Sequence, residues 1–178
     1  MIQIVPYTEL WPREFESEAA LLRRVMGAQA VRIEHVGSTA VPGLAAKPVI
    51  DIQVSVRSLQ TLEPFQAPLA ALGYRLISIT EFFDPEYPWF AKPGHWPSTH
   101  HVHLCVAGSE LEVRHIAFRD YLRKNTEQAQ RYEVLKRKLS GEYEGTTLHS
   151  VASYSMGKSE FIENALSSAG LRSGASDA

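Results

Sequence analysis

The stretch that decides the fold is His35-Val-Gly-Ser-Thr-Ala-Val-Pro-Gly-Leu-Ala-Ala-Lys-Pro-Val-Ile-Asp-Ile-Gln-Val54. It joins two segments with the composition of β-strands, 31–36 and 49–56. Residues alternate in character along the first segment, and the second is rich in β-branched residues. Because side chains two positions apart lie on one face of a strand, Asp51 and Gln53 share a face. The pattern predicts two neighbouring strands joined by a turn of small residues.

The turn between these strands has the features of a metal and phosphate site. Gly37 lets a phosphate approach the backbone closely, and Ser38 belongs to a turn whose N–H groups bind anions. Asp51 lies in an otherwise apolar strand, where a buried carboxylate needs a cation or several hydrogen bonds. Lys47 could reach either this carboxylate or a phosphate, so a structural salt bridge between Lys47 and Asp51 is the alternative.

The Gly37-Ser38 pair followed by Asp51 resembles the Gly-Ser…Asp-x-[Asp/Glu] signature of the nucleotidyltransferase fold. The longer string, with Ala-Val-Pro-Gly-Leu and Lys-Pro-x-Ile-Asp-Ile, resembles the GrpB-like family of that superfamily. The resemblance covers residues 33–162 and implies a twisted mixed β-sheet packed with helices. It also implies a nucleotide or another phosphorylated ligand as the partner, and Mg²⁺-dependent nucleotidyl or phosphoryl transfer as the chemistry.

One position departs from the superfamily signature, because Gln53 replaces the second acid. Two-metal catalysis needs anionic oxygens that hold both cations roughly 3.5–4 Å apart, and an amide contributes no charge. Three functions therefore stay open: a Mg²⁺-dependent transferase, a nucleotide- or phosphate-binding module without turnover, and a hydrolytic metal site. Glu34 is the nearest acid that could replace the missing charge, and a solvated surface residue is the alternative for it.

A pair of histidines gives the third function its basis. His101 and His103 lie one residue apart in the strand-like segment 100–107, so both imidazoles point to the same side. This arrangement suits zinc or another transition metal, and it also suits phosphate binding through N–H donors. We take Asp51, Gln53, His101 and His103 as candidate metal ligands, with Asp51 and His101 as candidate catalytic residues. Ordinary core or surface histidines are the alternative.

Four cationic residues in the C-terminal third are candidates for anion binding. Arg119 and Arg123 share one face of a predicted helix. Lys136 and Lys158 each follow a tyrosine by four residues on apolar helical stripes. We interpret the four residues as a cationic wall opposite the Gly-Ser turn, which receives a triphosphate or another polyanion. Lysines that snorkel to water and a solvated arginine face are the alternative.

The remaining pattern indicates one α+β domain over 1–170 and a disordered tail over 171–178. Strands dominate the first two thirds of the chain, and helices dominate the last third. The aromatic residues between 82 and 96 are expected to form a small core under a loop or to cover the cleft as a lid. Helices are predicted over 8–26, 58–72, 109–124, 126–140 and 148–168, and further strands over 74–80, 89–92 and 100–107.

Composition excludes several classes of function. The 178 residues are 44% hydrophobic and 21% charged, as in globular domains. A formal net charge of -2 provides no overall positive field, so nucleic acid is not expected as the main partner. Cys105 is the single cysteine, which excludes an internal disulfide. With no run near the ~20 apolar residues of a membrane span and no signal-peptide pattern, we expect a cytoplasmic protein without membrane contact.

Overall fold

The structure is a computed structural model that describes residues 2–77, 87–95, 97–143 and 147–171. Six α-helices and a five-stranded sheet are present in this part of the chain, so the predicted α+β class and the C-terminal helical segment are confirmed. The elements are α1 Leu10–Met26, β1 Ala30–Val36, β2 Ile50–Val56, α2 Glu63–Ala71, β3 Arg75–Leu76, β4 Trp89–Lys92, β5 His100–Val106, α3 Glu110–Lys124, α4 Thr126–Glu142, α5 Leu148–Met156 and α6 Ser159–Ser168.

The sheet has the strand order β1-β2-β5-β4-β3. Strands β2 and β5 pair in parallel, and the other neighbours pair antiparallel, which confirms the predicted mixed sheet. In the parallel pair, Asp51 lies opposite His101 and Gln53 lies opposite His103. The two motif strands and the strand with the paired histidines are therefore direct neighbours.

One face of the sheet is apolar and forms the main core. Its residues pack against α1 and α2. Trp11, Phe15 and Leu22 are among the side chains that α1 contributes to this core. Because side chains alternate along a strand, every second residue of β2 and β5 belongs to this face. Five of them have no exposed surface: Ile52, Val54, Val56, Val102 and Leu104.

The opposite face of the sheet is polar, and α3 covers part of it. Glu112 in the first turn of α3 is 1% exposed and accepts hydrogen bonds from three groups. Arg32 binds it at 2.9 and 2.6 Å, the Gly108 N–H binds it at 2.6 Å, and the Ser55 hydroxyl also donates to it. Buried polar groups need such partners, so Glu112 is the acceptor that attaches this end of α3 to the sheet.

Three predicted elements differ clearly from the structure. The helix predicted over 148–168 is divided into α5 and α6 at Gly157, where a side chain would lie 2.8 Å from a methyl group of Leu139 in α4. The helix predicted over 58–72 begins only at Glu63. Of the strand predicted over 74–80, the structure has β3 at Arg75–Leu76, and positions 78–80 lie outside the described residues. The predicted tail lies outside the described residues beyond Leu171.

Helix length also bears on the membrane prediction. No helix in the described part of the chain is long and apolar enough to cross a bilayer.

We expect Glu112→Gln to lower the free energy of unfolding by about 2–4 kcal/mol, because the amide loses charge-assisted hydrogen bonds and presents an N–H to donors. Urea denaturation followed by far-UV circular dichroism measures this change. Glu110→Gln is the matched control, because Glu110 lies in the same helical turn with its side chain 66% exposed. The control should change stability by less than about 0.5 kcal/mol, and equal losses in both variants would contradict the assignment.

Candidate functional site

A cavity of about 110 Å³ lies between the polar face of the sheet, the turn after β1, and helices α4 and α5. Its wall includes the hydroxyl-bearing turn, one carboxylate, one imidazole and three lysines. The structure thus brings together side chains from distant parts of the sequence. Six of the residues proposed from the sequence line it: Ser38, Lys47, Asp51, His101, Lys136 and Lys158.

Asp51 is the centre of a cluster with His101 and His103; Asp51 and His101 line the cavity, and His103 lies outside its wall. Its Oδ1 lies 3.1 Å from His101 Nδ1 and 3.7 Å from His103 Nε2. Ligand atoms of the three side chains lie within 4.8 Å of one another, an arrangement that could hold a metal ion. Burial alone would raise the pKa of Asp51, but the hydrogen bond to His101 and the nearby His103 imidazole lower it well below its usual range. The carboxylate is therefore ionised at neutral pH.

Gly37 is the residue that allows the turn to approach this carboxylate. It adopts φ 71°, in the left-handed region, and a Cβ atom built there would lie 2.5 Å from Asp51 Oδ2. A side chain at this position would be strained and would also displace Asp51. The glycine of the motif thus fixes the distance between the Ser38 turn and the cluster.

A buried histidine anchors the same turn to β2. The Thr39 hydroxyl donates to the Val49 carbonyl at 3.1 Å, so it accepts the proton from His35 Nε2, which lies 3.0 Å away. Burial lowers the pKa of His35 to about 4, so the ring is neutral at physiological pH. Its other contact is a stacked arrangement on Phe15 of α1, with ring centroids 4.8 Å apart. The turn is therefore tied to the main core.

The three lysines of the cavity come from the loop before β2, from α4 and from the α5–α6 junction. Burial lowers the pKa of Lys136 to about 7 and the pKa of Lys47 and Lys158 to about 8, and repulsion by Lys158 further lowers the pKa of Lys136 and Lys47. The Lys136 ammonium donates to the Ala45 carbonyl, and Lys158 Nζ lies 4.4 Å from the centroid of the Tyr154 ring. Perturbed pKa values grouped in one cavity are typical of functional sites.

Arg119 and Arg123 do not line this cavity, unlike the cationic wall expected from the sequence. Arg119 bonds to the carboxylate of Glu34 at 2.8 Å and to the His35 carbonyl at 2.9 Å. Arg123 donates twice to the Ala40 carbonyl, at 2.9 and 2.7 Å. Because α3 packs beside β1, Arg119 binds the backbone of β1 and Arg123 binds the backbone of the turn. They support the site without facing the cavity.

Gln53 and Glu34 also lie outside the cavity wall. Gln53 has no exposed surface, and its Nε2 donates to the Glu112 carbonyl at 3.3 Å. Its Oε1 is buried and has no hydrogen-bond partner in the described structure. Glu34 pairs with Arg119, so it does not replace the missing acid of the signature. The cluster at Asp51 therefore contains one carboxylate.

Aromatic residues support the histidines in a way that the sequence did not reveal. The Tyr87 ring stacks on His103 on one side and on His115 on the other, with centroids 5.0 and 4.6 Å apart. Trp89 contacts His101 edge-on, at 5.0 Å. The aromatic content of this segment was a signal for a small core or a lid, whereas nothing in the sequence singled out His115 of α3.

Comparison with known proteins defines the family. A family model described as GrpB protein matches residues 1–168. This chain belongs to the GrpB family. The resemblance to the GrpB family predicted from the longer string around Gly37 and Asp51 is therefore confirmed.

Individual GrpB relatives match over most of this chain. UPF0157 protein YqkA from Bacillus subtilis is 36% identical over 164 residues, which are 92% of this chain and 46% of YqkA. This chain thus spans about half of YqkA. The glutamate-rich protein GrpB from Alkalihalophilus pseudofirmus is 34% identical over 92% of both chains. The crystal structure of GrpB from Enterococcus faecalis superposes with a TM-score of 0.79 at 33% identity, covering 94% of this chain and 96% of that one.

We expect Gly37→Ala to lower the free energy of unfolding by at least about 1 kcal/mol more than Gly43→Ala does. Both glycines have positive φ, 71° and 77°, but a Cβ at Gly43 meets nothing within 4 Å, so the control carries only the backbone strain. Chemical denaturation of both variants measures the difference. Equal losses would show that the Asp51 carboxylate does not lie against the turn.

Proposed function

We propose that this protein binds a nucleotide or another phosphorylated ligand, with the phosphate group beside Asp51, for metal-dependent transfer of a phosphoryl or nucleotidyl group. The observation that carries the proposal is the convergence of Lys47, Lys136 and Lys158 on one cavity that is also lined by Asp51. Lysines that only snorkel to water would not meet at one point. Their meeting supports a shared anionic ligand.

The charge of the cavity favours an anion with at least two negative charges. Three ammonium groups face one carboxylate among the described residues of the wall. Burying a cation is unfavourable unless an opposite charge compensates it, and the lowered pKa values of the lysines express this cost. A phosphate group supplies the compensating charge and accepts hydrogen bonds from several donors at once.

Contacts of the cavity residues hold the proposed phosphate donors in place. The Ser38 side chain lies next to the Tyr132 hydroxyl. Lys136 Nζ is fixed by the Ala45 carbonyl and lies 5.1 Å from the centroid of the Tyr132 ring. Donors that are oriented before the ligand arrives lose less entropy on binding.

The size of the cavity limits which part of the ligand it encloses. Pockets that enclose a drug-sized molecule measure about 300–1,000 Å³, whereas this cavity measures about 110 Å³. The cavity therefore suits the phosphate end of a ligand, with the remainder extending toward solvent. In this proposal the ligand is recognised mainly through its phosphate group.

A binding module without turnover is the second candidate function. The neutral, fully buried Gln53 favours it, because the site then has one carboxylate where two-metal transfer uses at least two. Restoring the acid by substitution would place a second negative charge next to the Glu112 carbonyl that Gln53 now binds. Steady-state release of phosphate or pyrophosphate from four nucleoside triphosphates separates the candidates. Release above the rate without protein supports transfer chemistry, and binding without release supports the module.

We expect Lys158→Met to weaken binding of nucleoside triphosphates and of inorganic phosphate roughly tenfold or more, because a charge-assisted hydrogen bond contributes about 1.5–3 kcal/mol. Ligand-dependent thermal shifts and calorimetry measure the change. Lys138→Met is the matched control: it removes the same charge from an exposed position on α4. Unchanged binding in Lys158→Met, or equal weakening in both variants, would contradict the proposal.

Phosphate binding should take up protons at pH 8 and weaken as the pH rises from 7 to 9, because the bound anion raises the pKa of lysines that now titrate at about 7 and 8. Calorimetry in buffers of different ionisation enthalpy measures this uptake. Without ligand, the folded chain holds fewer protons than the unfolded chain between pH 7 and the ordinary value of 10.5. These lysines therefore make the free energy of unfolding rise with pH in that window. Binding without proton uptake would contradict the assignment.

A further inference from the structure

We infer that Asp51, His101 and His103 form a three-ligand site for a divalent transition-metal ion of the Zn²⁺ class, and not for Mg²⁺. The inference rests on the proposed function, since the ion would lie beside the cavity that receives the phosphate, where Asp51 and His101 line the wall. It goes further by assigning the chemical class of the metal from the donor atoms. Nothing in the nucleotidyltransferase signature requires two imidazoles.

The distances between the donor atoms fit one small ion. With metal–ligand bonds of about 2.1 Å, tetrahedral or octahedral geometry places neighbouring donor atoms about 3.0–3.4 Å apart. Asp51 Oδ1 lies 3.1 Å from His101 Nδ1 and 3.7 Å from His103 Nε2. All three atoms lie within 4.8 Å of one another, so inward side-chain movements would bring them into contact with the same ion.

The backbone fixes this arrangement before any ligand binds. His101 and His103 lie on one face of β5, and Asp51 lies opposite His101 in the parallel pairing with β2. The three donors therefore come from the two central hydrogen-bonded strands of the sheet. Sites built on strands are more rigid than sites built on loops.

His101 has the outer hydrogen bond that metal-binding histidines use, whereas His103 Nδ1 is buried without a hydrogen-bond partner among the described residues. His101 Nε2 lies 3.0 Å from the buried Ser98 hydroxyl, so its second nitrogen is held while Nδ1 faces Asp51. The His103 ring is held by stacking on Tyr87, with an interplanar angle of 11°. Fixing the ring through its far side orients the near nitrogen toward the ion.

The donor set does not fit Mg²⁺, the ion that the superfamily resemblance implies. Mg²⁺ takes oxygen ligands in octahedral geometry, whereas one carboxylate with two imidazoles suits zinc, iron and related ions. Neither of the nearby side chains supplies a second anionic oxygen, because Gln53 is neutral and Glu34 is bound elsewhere. Gln53 donates to the Glu112 carbonyl and lies outside the cavity wall, and Glu34 is paired with Arg119. The cluster therefore offers a hard cation a single anionic ligand.

Calorimetry on chelator-treated protein with Zn²⁺, Co²⁺ and Mg²⁺ tests the inference directly. We expect one equivalent of Zn²⁺ to bind on the order of 100-fold more tightly than Mg²⁺, or better. Asp51→Asn and His103→Gln should each weaken Zn²⁺ binding at least about tenfold. His100→Gln is the matched control, because His100 lies on the other face of β5 and contacts Thr99.

The visible absorption of bound Co²⁺ in the unsubstituted protein decides the question even if a variant fails to fold. A spectrum of nitrogen- and oxygen-coordinated Co²⁺ at one equivalent, displaced by Zn²⁺, supports the site. Mg²⁺ binding as tight as Zn²⁺ binding, no Co²⁺ spectrum, or full Zn²⁺ affinity in a folded His103→Gln variant would overturn it.

Inorganic phosphate, added to chelated and to Zn²⁺-loaded protein, separates this inference from the proposed function. If phosphate stabilises the chelated protein and no transition metal binds, the metal inference fails and the anion site stands. If Zn²⁺ binds as predicted and neither phosphate nor nucleotides bind, the proposed function fails and the metal site stands.

Discussion

The parallel pairing of β2 with β5 is the constraint on which the site depends. It aligns Asp51 with His101 and Gln53 with His103, so polar side chains from segments fifty residues apart in sequence form adjacent rows. A shift of one residue would turn the carboxylate toward the apolar core and Ile52 toward the cavity. The buried apolar face holds the strands in register, and the register in turn builds the site.

Buried polar groups on the face of a sheet need hydrogen-bond partners, and α3 supplies several of them. Glu112 accepts hydrogen bonds from Arg32 and Ser55, while Arg119 donates to Glu34 and to the carbonyl of His35. Glu112 and Arg119 of α3 therefore stabilise the packing of this helix on the sheet. The lysines of the cavity come from other segments. The cavity therefore has a positive wall, although these charged side chains of α3 are paired with residues of the sheet.

Local patterns predicted much of this arrangement. The strands around the motif, the Gly-Ser turn, the placement of His101 beside His103, and the lysines of the wall follow from alternation and helical spacing, which are short-range properties. Spacing also showed that Arg119 and Arg123 share a face of one helix, but it could not show that this face meets β1. That fact depends on packing between distant elements, as do the partner of Gln53 and the division of the last helix at Gly157.

The measurement that tests the account most directly is anomalous X-ray diffraction, at the zinc edge, from crystals grown with Zn²⁺ and inorganic phosphate. The account predicts one zinc peak about 2.0–2.2 Å from donor atoms of Asp51, His101 and His103. It also predicts phosphate density next to that peak, on the side of Lys136 and Lys158. A zinc peak elsewhere with this cluster empty, or phosphate bound away from the cavity, would contradict the claim that the metal site adjoins the phosphate cavity.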